Sequence, residues 1–176
     1  MNRLAQQAIL VGLVRRLWQR GSWAGETHVQ KAAYLLRELR QVPLDFGFLL
    51  YKHGPFSFEL RDELAAMQAD RLMERQPQRP PYGPRIAVLD RGAQLEERFE
   101  RTMRRYGEDL DWIADRLGDR GVQDLERLAT ALWVTQEHPG AGTHERARRL
   151  TDVKPHISDA AAVEAVDEID GLLRAA

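Results

Sequence analysis

Apolar residues recur at helical spacing along most of this chain. Leu4, Ile9, Leu10, Leu13, Val14 and Leu17 predict a helix over residues 2–20, ended by Gly21-Ser22. Val29, Ala32, Ala33, Leu35, Leu36 and Leu39 form the apolar face of a second helix over 26–40, with Thr27 as its candidate cap. Val42-Pro43-Leu44-Asp45 is a connector, because proline disfavours helix at the residue before it. Residues 46–52 are aromatic and aliphatic without a helical period, and read as a short strand. That strand is expected to stop at Gly54-Pro55, where glycine can take a positive φ and proline fixes φ near −65°. Ser57 can cap a third helix over 57–70, with Leu60, Leu64 and Met67 facing inward. Residues 72–76 and 85–89 then read as two strands. The proline-rich stretch 77–84, which cannot be helical, forms the tip between them.

Everything beyond Asp90 reads as helix. A long charged helix is expected over 93–117. The next covers 122–137, with Leu125, Leu128, Ala129, Leu132 and Trp133 as its stripe, and His138-Pro139-Gly140 stops it. A short helix over 143–150 ends before Lys154-Pro155. Ser158 caps a last helix over 159–174, with Val163, Val166, Ile169 and Leu173 predicted to face inward. No repeat of 20 to 50 residues and no low-complexity segment is present.

The order helix, helix, strand, helix, strand, loop, strand predicts an α+β fold, mainly α. It consists of a winged-helix-like module over residues 1–90 and a helical extension over 91–176 packed on it. The 176 residues suit that arrangement, and 43% hydrophobic content is enough for a packed core. No apolar run approaches the ~20 residues of a membrane span. No secretory leader is recognisable at the N-terminus. The chain has no cysteine, which excludes disulfides, cysteine nucleophiles and thiolate zinc sites. A cytoplasmic location is expected.

Net charge is −1 but uneven: residues 1–90 carry 13 basic against 9 acidic residues, and residues 91–176 carry 13 against 18. Only Lys31, Lys52 and Lys154 are lysine among the 26 basic residues. Arginine is suited to phosphate and carboxylate recognition, although codon bias of a GC-rich genome is the stronger explanation of such an excess.

Two segments carry a family resemblance. The second helix contains Val29-Gln30-Lys31-Ala32-Ala33-Tyr34-Leu35-Leu36, and the turn after the first strand reads Tyr51-Lys52-His53-Gly54-Pro55-Phe56-Ser57. In this order and spacing they resemble the SocA-like antitoxin domain family, also called Panacea, and its YwgA-type relatives. The motif residues are Gln30, Lys31, Tyr34, Tyr51, Lys52, Gly54, Pro55, Phe56 and Ser57. The resemblance covers the N-terminal half. It implies a small bacterial or phage-related protein that acts by binding a protein partner: a toxin, a protease or a subunit of a defence complex. It also implies a fold able to bind DNA. The residues themselves have a plainer explanation. Tyr34 and Tyr51 read as core aromatics, Gln30 and Lys31 as the boundary of a buried face, and Gly54, Pro55 and Ser57 as turn and cap chemistry.

For DNA binding, the third helix would enter the major groove. It offers Arg61 among Glu59, Asp62 and Glu63, a poor match for phosphate. The wing is more basic, with Arg71, Arg75, Arg79 and Arg85, and Arg15, Arg16 and Arg20 add to it if they share its face. A wing also accepts protein partners. Phe46, Phe48, Phe56 and Phe58 are the candidate apolar patch for one. Trp18, Trp23, Trp112 and Trp133 are either core or include an interface residue. Homodimerisation is left open.

Enzymatic chemistry finds no support. His28, His53, His138, His144 and His156 lack metal-ligand spacing, so no metal or cofactor is expected. Glu96, Glu97 and Glu100 are interleaved with arginines, as in i,i+4 pairs such as Glu97–Arg101 and Glu100–Arg104. No serine sits in a nucleophile elbow, and the glycines lack a phosphate-loop lysine. The acidic last helix can meet a basic partner. The expectation is a non-enzymatic protein-interaction module, antitoxin-like or an adaptor in a toxin–antitoxin or anti-phage defence system. The alternative is a winged-helix DNA-binding regulator.

Overall fold

A computed structural model describes residues 1–80 and 83–176; Pro81 and Tyr82 of the expected wing tip lie outside the described residues. In chain order the elements are α1 (Arg3–Gln19), α2 (Glu26–Arg40), β1 (Leu49–Tyr51), β2 (Gly54–Phe56), α3 (Phe58–Ala69), β3 (Met73–Gln76), β4 (Arg85–Val88), α4 (Asp90–Arg98), α5 (Glu100–Leu117), α6 (Val122–Glu137), α7 (Thr143–Val153) and α8 (Asp159–Ala175). The fold is α+β and mainly helical, and the strands pair as two separate antiparallel hairpins. Two compact units divide the chain: residues 1–48 with 57–120, and residues 49–56 with 121–176. The boundary expected near Asp90 therefore falls inside the first unit.

In the first unit, α1 is the central helix. Asn2 caps it, its side chain accepting from the Ala5 N–H at 2.8 Å. Every residue from Ala5 to Val14 is buried. The apolar run 8–14 has no polar face to turn outward, which is the signature of a core helix rather than a surface one. α2, α4, α5 and β4 all pack against it. Gly92 allows α4 to approach the strand region closely, since a Cβ there would lie 2.2 Å from the Leu72 carbonyl oxygen.

The wing is the β3–β4 hairpin, with Met73 opposite Val88 and Gln76 opposite Arg85. A third segment, without a strand pattern of its own, joins it. The Ile86 N–H donates to the Ala24 carbonyl at 2.9 Å, and Gly25 bridges Arg85 antiparallel, so the link between α1 and α2 lies beside the wing. This gives helix, bridge, helix, hairpin, helix, strand, loop, strand, a winged-helix-like order with the β1–β2 hairpin standing before α3. The predicted strand over 46–52 shortens to β1 and pairs with β2 instead. Gly54, at φ +82°, reverses the chain so that residues 54–56 fold back on 49–51.

α3 begins as expected, Ser57 Oγ accepting from the Leu60 N–H at 3.1 Å. α2 starts from Gly25 without a side-chain cap, so Thr27 does not cap it. The long helix expected over 93–117 is two helices. At Phe99 the amide is shared between the carbonyls of Leu95 and Glu96, at 3.2 and 3.1 Å, and the helix resets there.

In the second unit, α6, α7 and α8 pack on one another and β2 lies against α6. Arg146 ties α7 to α8 through a fork of two 2.7 Å hydrogen bonds to Asp170. That hydrogen bonding holds the Asp170 carboxyl below its usual range. Ser158 caps α8, but Leu173, expected to face inward, is exposed on its last turn.

Candidate functional site

The two halves of the motif are structural first. In the first unit, Gln30 and Lys31 are fully buried rather than at the boundary of the buried face. The Gln30 amide locks onto the backbone of Ser57: its Oε1 accepts the Ser57 N–H and its Nε2 donates to the Ser57 carbonyl, both at 2.9 Å. One neutral side chain thus satisfies both buried backbone groups just before α3. Tyr34 is a core aromatic as expected, its ring 5.2 Å from Phe48.

In the second unit, the Tyr51–Phe56 hairpin is held from beneath. Lys154, at the end of α7, donates from Nζ to the carbonyls of Tyr51, at 3.0 Å, and of Lys52. The same ammonium lies 3.1 Å from Glu126 Oε1 on α6, and both side chains are buried. An opposite charge and two carbonyl acceptors offset the desolvation of a buried ammonium. His53 Nδ1 and His156 Nε2 stand 3.4 and 3.7 Å from the same carboxylate, both on exposed rings. Among the described residues, no group of three or more His, Asp or Glu side chains is arranged to hold a metal ion.

This anchoring leaves the outer face of β1 bare. Gly54 and Pro55 are buried and Phe56 half-buried. Tyr51, expected in the core, is 46% exposed and Leu49 41%. The two alternate along the strand and so share one face. The expected phenylalanine patch is not assembled: Phe46 is buried, Phe48 and Phe56 are half-buried, and only Phe58 is exposed. Of the four tryptophans, Trp23 alone is exposed, and its Nε1 donates to the Gly83 carbonyl at 3.2 Å.

The basic residues are largely spoken for. Arg85 stacks 4.2 Å from the Trp18 ring centroid and donates to Gln76 Oε1 at 2.9 Å. Arg75 pairs with Glu26 at 2.7 Å, and Arg61 with Asp62 at 2.8 Å while lying over the Phe58 ring. Arg71 and Arg79 are exposed, and among the described residues neither side chain makes an ion pair or hydrogen bond. Arg15, Arg16 and Arg20 do not extend the wing. Arg15 and Arg16 converge on the buried Glu96 of α4, at 2.8 and 3.2 Å. Arg16 and Arg20 reach Asp111, and Arg20 reaches Asp115 at 2.7 Å. Those acids sit on α4 and α5, which the packing brings against α1. Of the expected i,i+4 pairs, Glu100–Arg104 forms at 2.5 Å.

No family model matches this chain, and no curated protein matches it. No helix among the described residues is long and apolar enough to cross a membrane.

Proposed function

We propose that this protein is a non-enzymatic protein-interaction module. In that reading it works like the SocA-like antitoxins its two motifs resemble, or as an adaptor in a cytoplasmic toxin–antitoxin or anti-phage defence system. The observation that carries the reading is the β1 face. Leu49 and Tyr51 are presented to solvent on a hairpin whose backbone Lys154 and Glu126 hold from below. A rigid strand with exposed apolar and aromatic side chains suits a protein partner, because tyrosine buries a large surface at low entropic cost. Replacing Leu49 and Tyr51 with serine is expected to reduce recovery of a protein partner from the native host by at least tenfold. Unchanged recovery would argue against this face.

One observation favours a second reading, a DNA-binding regulator: Arg71 and Arg79 lie free at the wing. Two free arginines support backbone contact at most. Duplex DNA binding that falls steeply with salt, and is abolished by reversing the charge of both, would favour this second reading.

A further inference from the structure

A groove of about 360 Å³ opens on the first unit between the start of α1, the end of α3 and α4. Its floor is leucine. Leu72 and Leu95 are nearly buried beneath it, while Leu4 stands 52% exposed at its side. One wall is α4, whose residues Arg91, Gln94 and Arg98 all line the groove and are exposed. Their i, i+3, i+7 spacing puts them on one helix face, with the two guanidinium-bearing positions about 10 Å apart along the axis.

Arg91 and Arg98 share with Arg71 and Arg79 a side chain without an ion pair, and differ from those two in lining an apolar groove. Arg15, Arg16, Arg20, Arg61, Arg75 and Arg85 are engaged by acids or rings, as described above. The side chains of Arg91 and Arg98 make no ion pair or hydrogen bond among the described residues. The remaining polar lining is Gln7, already donating to Glu63 at 2.6 Å, and Asp70 at the rim.

From this, and resting on the partner-binding reading above, we infer that the groove receives an acidic amphipathic segment of the partner protein. An apolar side chain of that segment fits against Leu4, Leu72 and Leu95. Acidic side chains about two helical turns apart meet Arg91 and Arg98 as forked, charge-assisted pairs. The leucine floor favours a peptide over a nucleic-acid backbone, which has no apolar side chain to place there.

The test is selection of a phage-displayed library of random 16-residue peptides on the full-length protein. The expected consensus carries an apolar residue flanked by Asp or Glu. Binding of the enriched peptides should fall at least tenfold in the Arg91→Glu/Arg98→Glu variant. It should fall severalfold in Leu4→Ser, a change at an exposed position, with circular dichroism checking that the fold is unchanged. Failure to enrich any peptide, a consensus without acidic residues, or affinity indifferent to the double variant would each overturn the groove. So would equal binding of polyglutamate or of a 20-base-pair duplex, which would mark an unspecific polyanion surface. The two failures are separable. A host partner recovered equally by wild type and Arg91→Glu/Arg98→Glu overturns this groove and leaves the partner-binding reading intact. Recovery of no protein partner by either overturns both.

Discussion

Two buried polar residues steady the short stretch from Tyr51 to Ser57, and they do so by opposite means. Gln30, in the first unit, is neutral and closes two hydrogen bonds on the backbone of Ser57. Lys154, in the second, is charged and divides its ammonium between Glu126 and two carbonyls. A neutral lock costs little to bury, and its loss leaves the Ser57 N–H unsatisfied while the carbonyl keeps the Arg61 N–H. A buried ion pair is costly to assemble and costlier to break, since each partner is tolerated only because of the other. The family-like motif thus marks one stretch of chain whose two ends fail in different ways.

The largest effect should come from breaking the ion pair on one side. Lys154→Ala strands Glu126 in the interior and should destabilise the fold by about 3–5 kcal/mol. The double variant Glu126→Leu/Lys154→Met should recover most of that loss in urea denaturation. If the double variant were as unstable as the single one, the contrast with Gln30 would collapse.

Next in size is a pH effect on α2 itself, two residues from the lock. His28 is buried, its Nδ1 2.9 Å from Ser22 Oγ. Burial pushes its pKa down to about 4 from 6.5, against a smaller upward pull from the Leu117 carbonyl. The folded state therefore prefers neutral His28, while the unfolded chain takes up a proton more readily. The contribution is full above pH 6.5 and is lost as pH falls towards 4, to the extent of about 3 kcal/mol. His28→Gln should flatten that part of the stability profile. A variant whose stability falls with acid as steeply as wild type would contradict the assignment.

Gln30→Leu should cost about 2 kcal/mol, because the buried Ser57 N–H loses its partner while the carbonyl keeps the Arg61 N–H at 3.1 Å. Thermal unfolding would register it as a lowered midpoint. Ser57→Ala removes only the α3 cap and should cost about 1 kcal/mol. If Ser57→Ala proved the more damaging of the two, the cap rather than the glutamine lock would be what secures this turn.

Helix positions were legible because they depend on local spacing. The apolar stripe of α6 and the Ser57 cap are written within one or two turns of sequence. The third member of the wing was not, because a strand's partner depends on where the chain reverses. The β-like run at 46–52 pairs with residues just beyond Gly54, and the bridge at Gly25 has no strand pattern of its own. The break at Phe99 was hidden for a related reason: no glycine or proline marks it.

Site residues divide along the same line. The arginine-rich stretches were visible, but not the acids opposite them. Glu96, Asp111 and Asp115 lie about 80 to 95 residues along the chain from their α1 partners, and only packing shows that they neutralise one another. Lys154 was read as a chain break beside Pro155. A clue lay in its identity: in a chain with 3 lysines, Lys31 and Lys154 are the buried ones, and Lys52 is exposed. A compact ammonium on a slender stem can be ringed by carbonyls where a planar guanidinium is harder to fit. Arg91 and Arg98 gave no sign apart from their helical spacing, since the groove they line arises only from the packing of α1, α3 and α4.

The most direct test of the partner-binding account is a tagged purification from the native host at low salt. It would compare wild type with Leu49→Ser/Tyr51→Ser, with mass spectrometry and nucleic-acid quantification of each eluate. The account predicts one stoichiometric protein partner, free of nucleic acid, that the variant recovers at no more than a tenth of the wild-type level. DNA that leaves the wild-type protein at moderate salt, with no protein partner, would contradict it and favour the winged-helix regulator.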